Sequence, residues 1–292
     1  MTLPKPRKIQ FERYTEGLSQ FKKINNPIKL SANESALGPS PRAIEAFERE
    51  KNKIFKYPES DSSSLRDVIS KKFNIDSERI ICGAGSDQIF DLICQLFIEP
   101  GDEVVVTEYG FIMYRIYASL YRAKVLLAKE KNFKASVDEI INKVTDKTKI
   151  VFIANPNNPT GTYLSKNEMF NLRQRLRSDI LLVVDDAYFE FLDKDDFTSG
   201  LDLFKDEANV LITRTFSKIY GLAGLRLGWG YSSKEIIDTM YQIKPPFNVN
   251  RAALCSGIEA LKDNEWIKKA IEHNTLWSKK IFSVLKEYKI QT

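Results

Sequence analysis

Histidine is almost absent from this chain. His273 is the single one among 292 residues, and it sits in a charged helical stretch where it reads as a surface residue. Metal centres built on imidazole and Ser-His catalytic pairs therefore lack the group they depend on. Cysteine is also scarce: Cys82, Cys94 and Cys255 lie far apart, without metal-ligand spacing. An odd, scattered count argues against a disulfide framework and reads as buried, reduced thiols in a cytosolic protein. The first residues, Met-Thr-Leu-Pro-Lys-Pro-Arg-Lys, contain no apolar core of the kind a signal peptide needs. No apolar run is long enough to span a membrane. Charge of one sign is not concentrated anywhere. The net charge of +5 is interspersed along the chain, which gives little support to nucleic-acid binding and would at most help attract anionic substrates. No repeat and no low-complexity segment is present.

What the chain does contain is an ordinary globular composition, 43% hydrophobic and 28% charged, with length enough for one large domain or two. Residues 1 to about 28 are polar, basic and proline-punctuated, and read as an extended arm. Gly38, Pro39 and Pro41 then make a turn, with Ser40 placed to cap a helix running to about Phe55 before Tyr57-Pro58. Ser64 is the expected cap of a second helix carrying Leu65, Val68, Ile69 and Phe73.

From Ile80 onward, short apolar strands alternate with amphipathic helices. The expected strands are Ile80–Cys82, Val104–Thr107, Val125–Ala128, Ile150–Ala154, Ile180–Asp185, Val210–Thr213 and Leu227–Tyr231. Helices are expected at Asp87–Ile98, Ser136–Lys143 and Lys166–Arg177. Continuous apolar strands separated by helices imply an α/β fold, a mostly parallel sheet covered on both faces. After about Asn250 the pattern turns helical, with Ala252, Cys255, Ile258 and Leu261 on one face. Trp266, Ala270, Trp277, Ile281 and Leu285 follow at apolar spacing on the next helix.

In such sheets ligands bind beyond the carboxyl ends of the strands, so the residues that follow each strand carry the functional reading. After Cys82 comes Gly83-Ala-Gly-Ser-Asp-Gln88, a glycine turn that opens a helix and can meet a phosphate. A dinucleotide-binding turn would carry a third glycine where Gln88 stands. After Thr107 comes an aromatic cluster of Tyr109, Phe111, Tyr114 and Tyr117. Phe111 is the candidate to stack on a flat ring, while Tyr114 and Tyr117 read as core.

After Ala154, the prolines and glycine of Asn155-Pro-Asn-Asn-Pro-Thr-Gly161 make a rigid turn with Asn158 at its tip. After Val184, Asp185 ends an apolar strand, where a carboxylate is costly to bury without a cation, and Tyr188 follows three residues on. The plain alternative for Asp185 is a cap on the next turn. The segment Thr213-Arg-Thr-Phe-Ser-Lys-Ile-Tyr-Gly-Leu-Ala-Gly-Leu-Arg-Leu-Gly228 places Lys218 behind Thr215 and Ser217, with Arg226 beyond a glycine-rich bend. A lysine so placed can form a Schiff base with an aldehyde, and hydroxyls with a guanidinium suit a phosphate dianion. The plain alternative is a solvated basic loop. An aldehyde that carries a phosphate points to pyridoxal phosphate.

These motifs occur in the order found in fold-type I pyridoxal-phosphate aminotransferases, which the chain resembles over nearly its whole length. The likeness is greatest to the histidinol-phosphate aminotransferases. It is carried by Ser31-Ala-Asn-Glu-Ser-Ala-Leu-Gly-Pro-Ser-Pro41, Tyr57-Pro58, Gly83–Asp87, Asn155–Gly161, Val184–Tyr188, Thr213–Gly228 and Asn248-Val-Asn250. The resemblance implies that Lys218 bonds the cofactor and later moves the substrate proton, and that Asp185 keeps the pyridine nitrogen protonated. It implies that Asn158 and Tyr188 bind the phenolate oxygen, that Phe111 stacks on the ring, and that Gly85, Ser86, Asp87, Thr215, Ser217 and Arg226 surround the phosphate. Tyr57 would reach the phosphate of the neighbouring subunit's cofactor, which implies a homodimer, and Asn33 would lie near the substrate.

The implied reaction passes the amino group of L-histidinol phosphate to 2-oxoglutarate in histidine biosynthesis, in the cytoplasm. An aromatic aminotransferase or a threonine-phosphate decarboxylase would share these motifs. A non-catalytic cofactor binder and an NAD-binding protein are readings of other classes. Three domains are expected: 1–55, an arm with part of a small domain; 56–250, a large cofactor-binding domain; and 251–292, long helices. The chain departs from the family at Ala36, usually proline, and at Gln88, usually acidic. Family members also continue into a small α/β domain bearing a substrate-gripping arginine. This chain stops at Thr292 before it, so a truncated reading frame or a fragment is expected.

Overall fold

The computed structural model describes Tyr14, Gly17 and residues 28–290. Most of the expected N-terminal arm lies outside the described residues. In chain order the helices are α1 (Pro41–Glu50), α2 (Ser63–Phe73), α3 (Ser86–Phe97), α4 (Ile112–Leu120), α5 (Val137–Ile141), α6 (Lys166–Arg175), α7 (Gly200–Phe204), α8 (Lys234–Ile243), α9 (Arg251–Lys262) and α10 (Asn264–Glu287). The strands are β1 (Ile80–Gly83), β2 (Glu103–Thr107), β3 (Lys124–Ala128), β4 (Glu130–Lys131), β5 (Lys134–Ala135), β6 (Thr148–Ala154), β7 (Leu181–Asp185), β8 (Val210–Thr215) and β9 (Gly228–Tyr231). β4 and β5 form a small hairpin, and the other seven strands form one sheet in the order β1-β9-β8-β7-β6-β2-β3. The central run is parallel, and β9 is antiparallel to both its neighbours. This is the mostly parallel α/β sheet expected from the alternating pattern.

Side-chain alternation along the strands builds two cores. Leu182 and Val184 of β7 face the layer of α2, α6, α7 and α9, which contributes Leu65, Leu172, Phe204 and Leu254. Leu181 and Val183 face the layer of α3, α4 and α8, which contributes Phe90, Tyr114 and Met240. All five residues of β7 are buried. Each such aliphatic side chain contributes roughly 1.5–3 kcal/mol on burial, so the strand is pinned from both faces and its end is a fixed platform.

Several expected details differ. α1 ends at Glu50 and tightens into a 3-10 turn at Lys51–Lys53, short of Phe55. Ser64 does not cap α2: the helix starts at Ser63, and the amides of Ser63 and Ser64 donate to the carboxylates of Asp61 and Glu59. The cap position is Ser62, which puts Ser64 inside the first turn, and the upstream carboxylates take the free amides there. Cys82 and Cys94 are buried, but Cys255 is half-buried. On α10 only Ala270 is buried, while Trp277 and Ile281 stay about half exposed, so apolar spacing there does not mean core. Among the described residues, no helix is long and apolar enough to cross a membrane.

Candidate active site

The parallel strands β2, β6, β7 and β8 end on one edge of the sheet, and their following loops enclose a cavity of about 220 Å³. Ser86, Asp87, Phe111, Asn158, Asp185, Tyr188, Thr215, Ser217, Lys218 and Arg226 all line it. Ten residues picked out one loop at a time thus meet around a single space. It adjoins a larger cavity of about 640 Å³, and Lys218, Tyr188, Asn158, Pro156 and Glu34 border both.

Strand parity explains the floor. Asp185 and Thr213 are register partners on β7 and β8, so both point to the α3/α4 side. Thr213 Oγ1 donates to Asp185 Oδ1 at 3.1 Å, and the Tyr114 hydroxyl donates to Oδ2 at 2.6 Å. Burial pushes the Asp185 carboxyl up to about 6, against the pull of these two hydroxyls. Asp186 points the other way. It accepts from the amides of Gly200 and Leu201 and lies 3.6 Å from Arg214. Asp186 therefore serves the first amides of α7, whose cap is Ser199, and Asp185 is left for the cavity.

Lys218 is held by its neighbours. Phe216, Ile219 and Tyr220 are buried, and Leu222 N donates to Phe216 O at 2.9 Å, closing the loop beneath the lysine. Gly221 adopts φ +67°, and a Cβ there would meet the carbonyl carbon of Gly38 at 2.4 Å. Segment 31–38 accordingly lies directly over this loop. Lys218 Nζ stands 3.5 Å from Ala32 O and 3.4 Å from Asn33 O, at the long edge of hydrogen bonding, and 5.4 Å from the centre of the Tyr188 ring. Asn33 lines the larger cavity, and its amide donates to the Tyr188 hydroxyl at 3.2 Å.

The anion end of the cavity is built at the start of α3. Gly85 precedes the helix at φ +80°, and a Cβ on it would strike Arg226 Nη2 at 2.3 Å. Gly85 does not line the cavity; it lets the guanidinium pack against the turn. Arg226 donates to Asp87 Oδ2 at 2.9 Å and to Ser217 Oγ at 3.4 Å. Asp87 is raised above its ordinary carboxylate range by burial, opposed by Arg226 and Lys218. Backbone amides at a helix start, two hydroxyls and an arginine make an anion cradle. Gln88 steadies it by accepting from Ala84 N at 2.8 Å and from Asn248 Nδ2 at 2.7 Å.

The loop at Asn155 is closed by reciprocal bonds between the Asn155 side chain and the backbone of Leu164, and Asn157 N donates to Thr162 O. That frame presents Asn158. Tyr57 is not in the cavity of its own chain: it is 78% exposed and stacks on Phe247 at 4.5 Å. His273, expected on the surface, is half-buried and lines the larger cavity. Sequence reasoning missed Glu34 and Thr213 as site residues. It also placed Tyr114 only in the core, where its hydroxyl nevertheless meets Asp185. The signals available were the i+3 spacing of Tyr114 from Phe111 and the register of Thr213 beside Asp185.

The cavity thus offers an amine, a buried carboxylate, an amide with a phenol, an aromatic edge and an anion cradle. That set fits a flat phosphorylated aldehyde with a ring nitrogen. Residues 25–284 match the family described as "Aminotransferase class I and II". The chain belongs to the class I and II aminotransferase family. Among aminotransferases, it is 57% identical to the "Histidinol-phosphate aminotransferase" of Pelagibacter ubique (strain HTCC1062), over 99% of this chain and 81% of that protein. It is 43% identical to that of Maricaulis maris (strain MCS10), over 94% of this chain and 76% of that one. The crystal structure of the histidinol-phosphate aminotransferase from Sinorhizobium meliloti in complex with pyridoxal-5'-phosphate superposes with a TM-score of 0.79 at 26% identity. That match covers 82% of this chain and 65% of the Sinorhizobium chain, just under two thirds.

Proposed function

We propose that this aminotransferase binds pyridoxal 5'-phosphate and catalyses L-histidinol phosphate + 2-oxoglutarate to imidazole acetol phosphate + L-glutamate. The observation that carries the reading is the meeting of Lys218, Asp185, Asn158, Tyr188 and Arg226 around one cavity, in a chain with relatives named for that activity. When bound, the cofactor supplies an aldehyde for the donor's amino group and a ring that draws electrons from the α-carbon.

The protein's part follows from its own groups. Lys218 would hold the cofactor through its amine, and that amine, when free, would take and return the proton at the substrate α-carbon. Asp185, on the cavity floor, would sit against the ring nitrogen and favour its protonated form. Asn158 and Tyr188 would donate to the phenolate oxygen, and Asn33, already bonded to Tyr188, would lie on the substrate side. Phe111 covers the ring. Ser86, Asp87, Thr215, Ser217 and Arg226 enclose the phosphate, with Gly85 giving Arg226 its room.

The reading extends to a homodimer. Ile54, Phe55 and Tyr57 are each about four-fifths exposed, an apolar patch that a second copy would cover. Tyr57 would then reach the neighbouring subunit's phosphate. We assign residues 56–250 to the large cofactor-binding domain, with 1–55 and 251–292 grouped beside it. The packing of Ser256 Oγ on Ala43 O at 3.1 Å supports that grouping. Three free thiols accord with a cytoplasmic enzyme.

The test is single-turnover spectroscopy of the cofactor-loaded protein with L-histidinol phosphate, L-phenylalanine and O-phospho-L-threonine in parallel. L-Histidinol phosphate should convert the visible cofactor band fastest by more than tenfold, with 2-oxoglutarate restoring it. Faster conversion by L-phenylalanine, or carbon dioxide release from O-phospho-L-threonine, would reassign the substrate.

A further inference from the structure

Asp185 sits at the carboxyl end of β7 with only 6% of its surface exposed, and both its oxygens are engaged from the protein side. Each carboxylate oxygen has a second lone pair, so the cavity side stays available. The donor on Oδ2 is Tyr114, one turn into α4 and 1% exposed. Its ring is locked. It stacks on Phe152 at 4.9 Å and 5°, and meets the edge of Phe90 at 5.1 Å and 86°. The same ring meets Phe111 at 5.6 Å and 82°. One tightly packed tyrosine therefore touches both the buried carboxylate and the aromatic side chain that line the cavity.

We propose that Tyr114 is a positioning residue of this site, its hydroxyl aiming the Asp185 carboxylate into the cavity and its ring setting the tilt of Phe111. The assignment rests on the cofactor reading given above. Its chemistry is that of a donor behind an acid. A hydrogen bond to the charged form favours that form, whereas burial opposes it. The groups facing Asp185 are Tyr114 from α4, Thr213 from β8, Asp87 from α3 and the Ala187 amide beyond β7. Asp87 adds negative charge and raises Asp185 further, while the two hydroxyls and the Ala187 amide pull it back down. The phenol of Tyr114 is itself pushed well above its ordinary range by burial and by Asp185, so it stays a donor at any working pH.

The decisive variant is Tyr114→Phe, which keeps the ring and removes only the hydroxyl. In cofactor-free protein, the Asp185 carboxyl is followed by carbon-13 NMR against pH, with its signal assigned by its loss in Asp185→Asn. Its midpoint should rise by about one pH unit, the size expected for losing a charge-assisted hydrogen bond. In loaded protein, single turnover should slow by about twofold at pH 7 and about fivefold at pH 6, and raising the pH to 8.5 should recover most of the loss by ionising Asp185 again. Thr213→Val removes the other hydroxyl and should move the midpoint by less. An unmoved midpoint in Tyr114→Phe, or a rate loss equal at all these pH values, overturns the proposal. So does a larger shift in Thr213→Val than in Tyr114→Phe. The NMR arm needs no cofactor. A protein that never turns over would remove the functional reading while the midpoint still decides whether Tyr114 governs Asp185.

Discussion

Asp185 and Asp186 are consecutive residues whose carboxylates serve opposite faces of the sheet. Asp185 bonds Tyr114 and Thr213 on the α3/α4 side. Asp186 bonds the start of α7 and pairs with Arg214 on the other. The strand's two-residue period turns one towards the cavity and the other towards the start of α7.

That division has a measurable consequence for Asp186. Burial raises its carboxyl from 3.8 to about 6, with Arg214 pulling the other way. A group raised in the folded state lends stability that is fully present below its unfolded value and lost as the pH climbs through its folded value. Asp186→Asn stays neutral throughout. The stability deficit of Asp186→Asn, measured by urea unfolding, should therefore shrink as the pH rises from about 4 to about 6. A deficit that is constant over that range would show that Asp186 is not raised.

Arg226 should matter through its planar fork. It is held between Asp87 and Ser217 at the anion cradle. Arg226→Lys keeps the charge and loses the geometry. Fluorescence titration of the cofactor-free protein should show pyridoxal phosphate bound about tenfold more weakly, the scale of one charge-assisted hydrogen bond. An unchanged affinity would remove Arg226 from the cradle.

Much of this site was legible because each motif follows a strand, and strand ends in a parallel sheet converge. Lys218, Asn158 and Asp185 could be named on that rule alone, and they do share one cavity. Less legible were contacts set by register and by helix packing. Thr213 is unremarkable in sequence until β7 and β8 pair it with Asp185. Tyr114 looks like core because it is core, and only the packing of α4 on the sheet brings its hydroxyl to Asp185. The exposed apolar residues of α10 mark the same limit, since spacing names a face without saying what the face touches.

Tyr57 tests the shared-site reading. It lies outside its own chain's cavity. Tyr57→Ala and Lys218→Ala should each be impaired alone. Mixed and allowed to exchange subunits, they should regain about a quarter of wild-type turnover, because half the dimers are hybrid and each hybrid has one intact site. Mixtures no more active than the average of the two parents would place Tyr57 outside any shared site.

The central claim is that Lys218 is the residue that bonds the cofactor. The most direct measurement is borohydride reduction of the protein with pyridoxal phosphate, followed by peptide mass mapping. The account predicts one stoichiometric, reduction-fixed adduct, on the peptide containing Lys218, and none in Lys218→Ala. A stoichiometric adduct on another lysine, or no adduct at saturating cofactor, would contradict it.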